Sequence, residues 1–518
     1  MSTPRNDLTL AFGGLLVAMF IAALDQTIMS TALPTIAGQL GGLSELPWVV
    51  TVYVLAAAAS TPLWGKASDL HGRKGLLRAA IVIFIGFSAL SGAAQSIGEL
   101  IAFRALQGIG AGGMMTLAMA AVGDLVSPRE RGRYQGYIQL TFLLASLAGP
   151  LLGGLFVDHL SWRWAFYVNV PLGLLALSVL SAYLPAAARR PDARVDYAGA
   201  ALLATTVVAV LLIATWGGSR YPWGSAQILG LIAGALVLFT AFLWRERRAA
   251  EPVLPLRLFG DPVFVTVSAG LFVATLSLFA ALVFLPLCLQ LVTGASATDS
   301  GLLMLPLLLA GALSTTVSGL IMARTGRYKV FPIVGLAAMG AGLLLFSTLG
   351  ASGSRASAAA FMVVFGLGFG MVTQILVVAI QNAVEPREIG TATAAANLFR
   401  ALGGSIGVAV FGAIFTGGLR HWLPLELGGR IPRGISATGI QSSPAHIRAL
   451  PVPVQHAIAH AVGHSLHDVF LLAGPIALVG CLIVLTLREQ PLRGRAEAGN
   501  QKKEGKPSQS SPLTPSKA

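Results

Sequence analysis

Long apolar runs recur along the chain, each of about 20 residues, the length an α-helix needs to cross a hydrocarbon core roughly 30 Å thick. Fourteen such runs begin near Leu8, Leu46, Leu76, Glu99, Gln135, Trp164, Asp196, Ser225, Pro262, Ser300, Val330, Ala356, Ala395 and His467. Charged residues make up 11% of the 518 residues and hydrophobic ones 55%, against roughly 25% charged in an ordinary soluble domain. The 60 glycines suit membrane helices, which pack through close backbone approach. The sequence therefore predicts an all-α integral membrane protein with fourteen transmembrane helices.

A net charge of +14 raises the question of nucleic acid, but the cations lie in short clusters between apolar runs, the pattern of a topology signal. Arg5, Lys66, Arg73, Lys74, Arg78, Arg129, Arg131 and Arg133 fall at the first terminus and in every second loop. The same alternation continues through Arg189, Arg190, Arg194, Arg245, Arg247, Arg248, Arg257, Arg324, Arg327, Lys329 and Arg387 to the basic tail. On the opposite side stand Arg163, Arg220, Arg355, Arg420, Arg430, Arg433 and Arg448. The positive-inside rule places both termini in the cytoplasm of a cell inner or plasma membrane and requires an even number of spans. Cys288 and Cys481 lie inside apolar runs and form no CxxC pattern. The start lacks the features of a cleaved signal, so the first run is expected to remain as a span.

Two fragments repeat. Gly65-x6-Gly72-Arg73 is matched by Gly319-x6-Gly326-Arg327, and Pro128-Arg129-Glu130-Arg131-Gly132 by Pro386-Arg387-Glu388-Ile389-Gly390, at nearly the same offset and in equivalent loops. The expected organisation is an N-terminal six-helix half over 1–190, two additional helices over 191–255, and a C-terminal six-helix half over 256–490. That second half includes an external loop at 417–466, and a disordered tail follows at 491–518. Repeated halves around a central site suit alternating access by rocking.

Five motifs carry a resemblance. Ala23-Leu-Asp25-Gln26-Thr27 through Pro34 lies in the first span, Gly65-Lys-Ala-Ser-Asp69-Leu-His-Gly72-Arg73-Lys74 after the second, and Arg104-Ala-Leu-Gln107-Gly108-Ile-Gly110 in the fourth. Ala145-Ser-Leu-Ala-Gly149-Pro150-Leu-Leu-Gly153-Gly154 is in the fifth, and Trp162-Arg163-Trp164-Ala-Phe166-Tyr-Val-Asn169-Val-Pro171 opens the sixth. Together they resemble the fourteen-span drug:proton antiporters, the EmrB/QacA-like branch of the major facilitator superfamily, over about residues 8–490. The resemblance implies a proton-coupled antiporter exporting small lipophilic or cationic compounds, a multidrug efflux protein; a monomer is expected, though the sequence itself does not name the oligomeric state. It implies a latch of Gly65, Asp69, Gly72, Arg73 and Asp124 holding the outward-facing state, and an antiporter motif in Gly149, Pro150, Gly153 and Gly154. The family pattern often opens that last motif with Gly where Ala145 stands.

Each motif also has its own physics. A carboxylate inside a span, Asp25, is costly and usually functional, and its pKa is raised by burial and lowered by a nearby cation. Arg104 is the candidate cation, and the two form the expected proton-coupling pair. Gly149-Pro150 combines small residues with a missing backbone donor, predicting a kinked, closely packed span. The run from Gly301 to Met322 holds no acid, so a single deep carboxylate favours monovalent cations or neutral lipophiles over dications. Gln26, Tyr53, Gln107, Met114, Gln139, Phe142, Asn397 and Arg400 are the candidate substrate-cavity residues, Arg400 as a ligand for an anionic group or a backbone carbonyl. His456, His460, His464 and His467 share one helical face. They are read as a zinc site, an external pH sensor or a solvated face of an amphipathic helix, with no metal site assigned.

No Gly-x4-Gly-Lys-[Ser/Thr] segment occurs, which excludes direct ATP drive by this route, and neither HExxH nor a GxSxG elbow marks an enzyme. No cofactor is implied; the partners are a lipophilic small molecule, protons and the bilayer. Two other functions fit the residues: a dedicated exporter of one endogenous molecule (a lipid, siderophore or amino acid) and a non-transporting membrane sensor.

Overall fold

The computed structural model describes residues 5–40, 46–126, 128–185, 196–218, 220–249, 251–291, 303–349, 354–385, 388–427 and 451–492. Fourteen helices in it are long and apolar enough to cross a membrane. Spans 1 to 6 are Asp7–Met29, Trp48–His71, Arg73–Ala93, Ile97–Leu125, Tyr134–Val157 and Trp164–Tyr183. Spans 7 and 8 are Tyr197–Trp216 and Ala226–Glu246. Spans 9 to 14 are Pro262–Leu289, Leu305–Thr325, Val330–Ser347, Arg355–Ala383, Ile389–Glu426 and Val452–Leu485. The all-helical, fourteen-span reading of the sequence holds, because length and hydropathy alone decide it.

Spans 1 to 6 pack on one another, as do spans 9 to 14, and span 13 crosses onto spans 2 and 4 while span 10 lies along span 5. Span 7 touches both span 2 and span 13, with Trp216 edge-on to Trp48 at 5.4 Å. Asp196 caps span 7 through the Gly199 N–H (3.1 Å) and pairs with Arg245 of span 8 at 2.9 Å. Burial opposes ionisation of Asp196, but the Arg245 bonds and the Gly199 N–H outweigh it and hold the carboxyl below its ordinary range.

Two boundaries differ from the sequence expectation. The helix of span 13 runs on to Glu426 and that of span 14 starts at Val452, so the expected 417–466 loop is helical at both ends. Polar residues end an apolar run without ending a helix, and His456, His460, His464 and His467 all lie on the span 14 helix. Residues 428–450 lie outside the described residues, as do most of the 491–518 tail and the 190/191 boundary. Span 5 is one helix through Pro150.

Candidate functional site

Asp25 of span 1 is 1% exposed. Its carboxylate accepts from Arg104 Nη1 at 2.6 Å, Gln107 Nε2 at 2.9 Å and Asn169 Nδ2 at 2.9 Å. Arg104 and Gln107 are three residues apart, so they share a face of span 4, and a further bond from Arg104 Nη1 to Gln107 Oε1 (2.9 Å) ties them together. Arg104 Nε reaches the Val49 carbonyl at 3.3 Å, and its guanidinium lies 4.0 Å over the Tyr53 ring. Asn169 enters at the start of the long piece of span 6, just after the short helix Trp164–Tyr167. It also donates to Ser88 Oγ (3.0 Å), which in turn donates to the Phe166 carbonyl (2.9 Å). Arg104, Gln107 and Asn169 are each 0% exposed.

Taking an ion pair out of water costs several kcal/mol per ion unless the remaining donors and acceptors are satisfied. Here three donors surround the carboxylate, and an aromatic face covers the cation. The pair sits seven residues into span 4, roughly 10 Å from its Ile97 end, away from the end of the bundle that carries Arg5. Gly149 of span 5 lies hard against Thr27, whose hydroxyl donates to the Ala145 carbonyl at 3.0 Å. The glycine of the fifth-span motif thus fixes span 5 two residues from Asp25. Gly153 is buried, Gly154 has open space at its Cβ position and Pro150 is exposed.

A second cluster closes the opposite, basic end. Asp69 at the end of span 2 accepts from the backbone N–H groups of Gly390 (2.9 Å) and Thr391 (2.7 Å) and from Thr391 Oγ1 (2.8 Å). It therefore caps the N-terminus of span 13, where unpaired N–H groups and the helix dipole favour an anion. Arg73 lies 3.4 Å from Asp69, pairs with Asp124 and donates to the Ala120 carbonyl at 2.5 Å. Gly72 turns the chain at φ 85°, a conformation that favours glycine. A Cβ on Gly65 would meet the Gly390 carbonyl at 2.7 Å. Arg131 adds a bond to Gln381 (3.2 Å), whose amide donates to Thr393 Oγ1 (2.9 Å). The hydrogen bonds linking spans 1–6 to spans 9–14 gather toward this end, the innermost from Asn397 to Thr116 at 3.5 Å.

The expected substrate-cavity residues do not form one wall. Tyr53 and Gln107 belong to the ion-pair network and Met114 is fully buried in the core. Helical periodicity gives a residue's face but not what covers it. Gln26 is exposed, while Gln139, Phe142, Asn397 and Arg400 are half-buried. The histidine row separates: His464 stacks on Trp422 at 4.5 Å, and His467 Nδ1 lies 2.8 Å from the Ser347 carbonyl. No cluster of three or more metal-ligating side chains occurs among the described residues. Ser88, Thr391 and Gln381 were not singled out from the sequence, and Asn169 and Gly390 entered only as members of a motif and a repeat. Asn169 had a signal, being an amide inside an apolar run.

The model of the Major Facilitator Superfamily matches residues 15–202 and 195–408. An uncharacterized MFS-type transporter of Mycobacterium tuberculosis is 40% identical over 481 residues, covering 93% of this chain and 69% of that protein. The multidrug transporter protein MdtP of Bacillus subtilis is 35% identical over 526 residues, 96% of each. Among solved structures the proton:xylose symporter XylE aligns with a TM-score of 0.63 at 15% identity, over 96% of this chain and 99% of that one, a likeness of fold.

Proposed function

This chain belongs to the major facilitator superfamily, and on that premise we propose that it is a proton-coupled antiporter exporting small lipophilic compounds by alternating access. It is a multi-pass membrane transporter rather than an enzyme. The observation that carries the proposal is Asp25, a carboxylate sealed among the spans and bonded to a buried arginine and two amides. Protonating it removes one partner of the pair and leaves the Arg104 cation uncompensated, which favours a rearrangement of span 4 against spans 1 and 6. Losing the proton restores the pair. Such a group couples one proton to one change of state.

The orientation follows from the basic clusters: the Arg5 end faces the cytoplasm of the cell membrane, with both termini there. The Asp69–span 13 cap then closes the cytoplasmic gate, and the conformation described is closed toward the cell interior. Spans 1–6 and 9–14 act as the two rocking halves, with spans 7 and 8 as an added pair. One proton crossing 100 mV supplies about 2.3 kcal/mol and a tenfold pH difference about 1.4 kcal/mol. Together they support roughly a few hundredfold accumulation. The name of MdtP, a multidrug transporter, supports a broad lipophilic range.

The test is transport of a neutral lipophilic fluorophore, Nile red, in proteoliposomes with an imposed pH gradient. The wild type is expected to move dye in response to the gradient and to stop when nigericin collapses it. Asp25→Asn is expected to lose at least about tenfold of that flux while still eluting as a folded protein. Gradient-dependent transport by Asp25→Asn equal to the wild type would refute the assignment of Asp25.

A further inference from the structure

We propose that Arg400 is a substrate-binding cation, and that the compounds this protein handles best are lipophilic molecules bearing a single anionic group such as a carboxylate. The inference rests on the transporter reading above and narrows its substrate class away from cations.

Arg400 lies eleven residues into the span 13 helix, whose N-terminus Asp69 caps, so it sits roughly 16 Å in from the basic end, near the depth of a bilayer midplane. Among the described residues its guanidinium makes no hydrogen bond, ion pair or ring contact, and it is half-buried rather than sealed. An unpaired charge at that depth is tolerated where it faces protein or a water-filled cavity, not lipid. The neighbours on the helix say which direction that is. One turn before, Asn397 reaches Thr116 of span 4. One turn after, Gly403 presses on Phe272 of span 9, and two turns after, Gly407 presses on Leu276. At about 100° per residue, position 400 lies within about 40° of Gly404 and Gly407, which press on Phe279 and Leu276, so it faces span 9, with Asn397 and span 4 to one side.

The other deep charges are already used. Asp25 is sealed by Arg104, Gln107 and Asn169 and offers no free acceptor to a cationic substrate. Half-buried Asp468 follows His467, which touches Ser347 at the end of span 11, and so belongs to the outer rim rather than the midplane. Among the described residues, the unpartnered charge near the midplane is thus positive. A guanidinium holds a carboxylate through two parallel N–H···O bonds, and Phe272 and Phe279 on span 9 lie close to this face of span 13.

A matched pair of probes tests this, pyrenebutyrate and pyrenebutyl-trimethylammonium, by fluorescence titration of the purified full-length protein. The wild type is expected to bind the carboxylate at least about tenfold more tightly. Arg400→Gln should abolish that preference while retaining the affinity for the ammonium probe, and Arg400→Lys should keep part of it. Equal binding of both probes by the wild type, a preference for the ammonium, or an unchanged preference in Arg400→Gln would overturn the proposal. So would an equal loss of both probes in Arg400→Gln, which marks a structural role. Gradient-driven Nile red transport by the same variants separates the two readings. If Arg400→Gln still moves Nile red but the anion preference never appears, only the substrate assignment fails. If the wild type ignores the gradient, the proton-coupling reading fails instead.

Discussion

Spans 4 and 12 meet their neighbours through the same glycine spacing. Gly108 and Gly112 press on span 2 and Gly110 on span 3, and at the equivalent positions of the repeat Gly366 and Gly370 press on span 10 and Gly368 on span 11. The turns agree as well, with Gly72 at φ 85° and Gly326 at φ 71°. The chemistry diverges. Where span 4 carries Arg104 and Gln107, span 12 carries Met362 and Phe365, all buried, and Ala323 stands where the first repeat has Asp69. Close backbone approach is what the shared scaffold demands. Charge is not, since one copy folds without it. Buried charges in the first copy therefore call for a reason other than folding.

The largest effect should come from making span 4 resemble span 12. Arg104→Met leaves the buried Asp25 carboxyl without its cation, and we expect a loss of about 3–5 kcal/mol, read by thermal unfolding in detergent. Adding Asp25→Asn should recover most of that stability and none of the gradient-driven transport. If the double variant stays as unstable as the single one, the pair is structural and the contrast between the copies has been misread.

Next is Asp69→Ala, which copies Ala323. It removes three hydrogen bonds to the span 13 N-terminus, and we expect the gate to shift toward its open form by about 2 kcal/mol, roughly thirtyfold. Thiol labelling of a cysteine placed at Ser68 should accelerate accordingly. Alanine at Gly110 and at Gly368 comes third. A new Cβ would lie 2.6 Å from the Phe84 nitrogen in one case and 2.7 Å from the Met339 nitrogen in the other, so each should cost about 1–3 kcal/mol and the two should be alike. A tolerant site in one copy alone would break the shared-scaffold argument.

The smallest effect lies outside both copies. Asp196→Ala removes the span 7 cap and the Arg245 pair, for about 1 kcal/mol. Because the folded-state pKa of Asp196 is lowered, its contribution is fully present above the unfolded value of about 3.9. It is lost as pH falls through the folded value, so wild type and variant should converge in stability only under strong acid.

Much of this was legible in the sequence. Fourteen spans follow from apolar length, and Asp25 and Arg104 stand out because ionised groups are rare in such runs. The sequence did not reveal that the two touch, since their contact depends on how spans 1 and 4 are rotated. The bonds of Asn169 and Ser88 were hidden because single amides and hydroxyls are common in spans and find partners in ways no spacing encodes. Gly390 and Thr391 engage Asp69 mainly through backbone N–H groups, which have no sequence signature. The extra turns of spans 13 and 14 were hidden because their polar residues resemble a loop to any hydropathy count.

Proton movement driven by substrate is the most direct test of the central claim. Proteoliposomes loaded with the pH dye pyranine, without an imposed pH gradient, would receive a transported lipophile from one side. Exchange predicts a lumenal pH change opposite in direction to substrate flow, dependent on Asp25 and absent in Asp25→Asn. Substrate flow with a steady lumenal pH would contradict proton coupling.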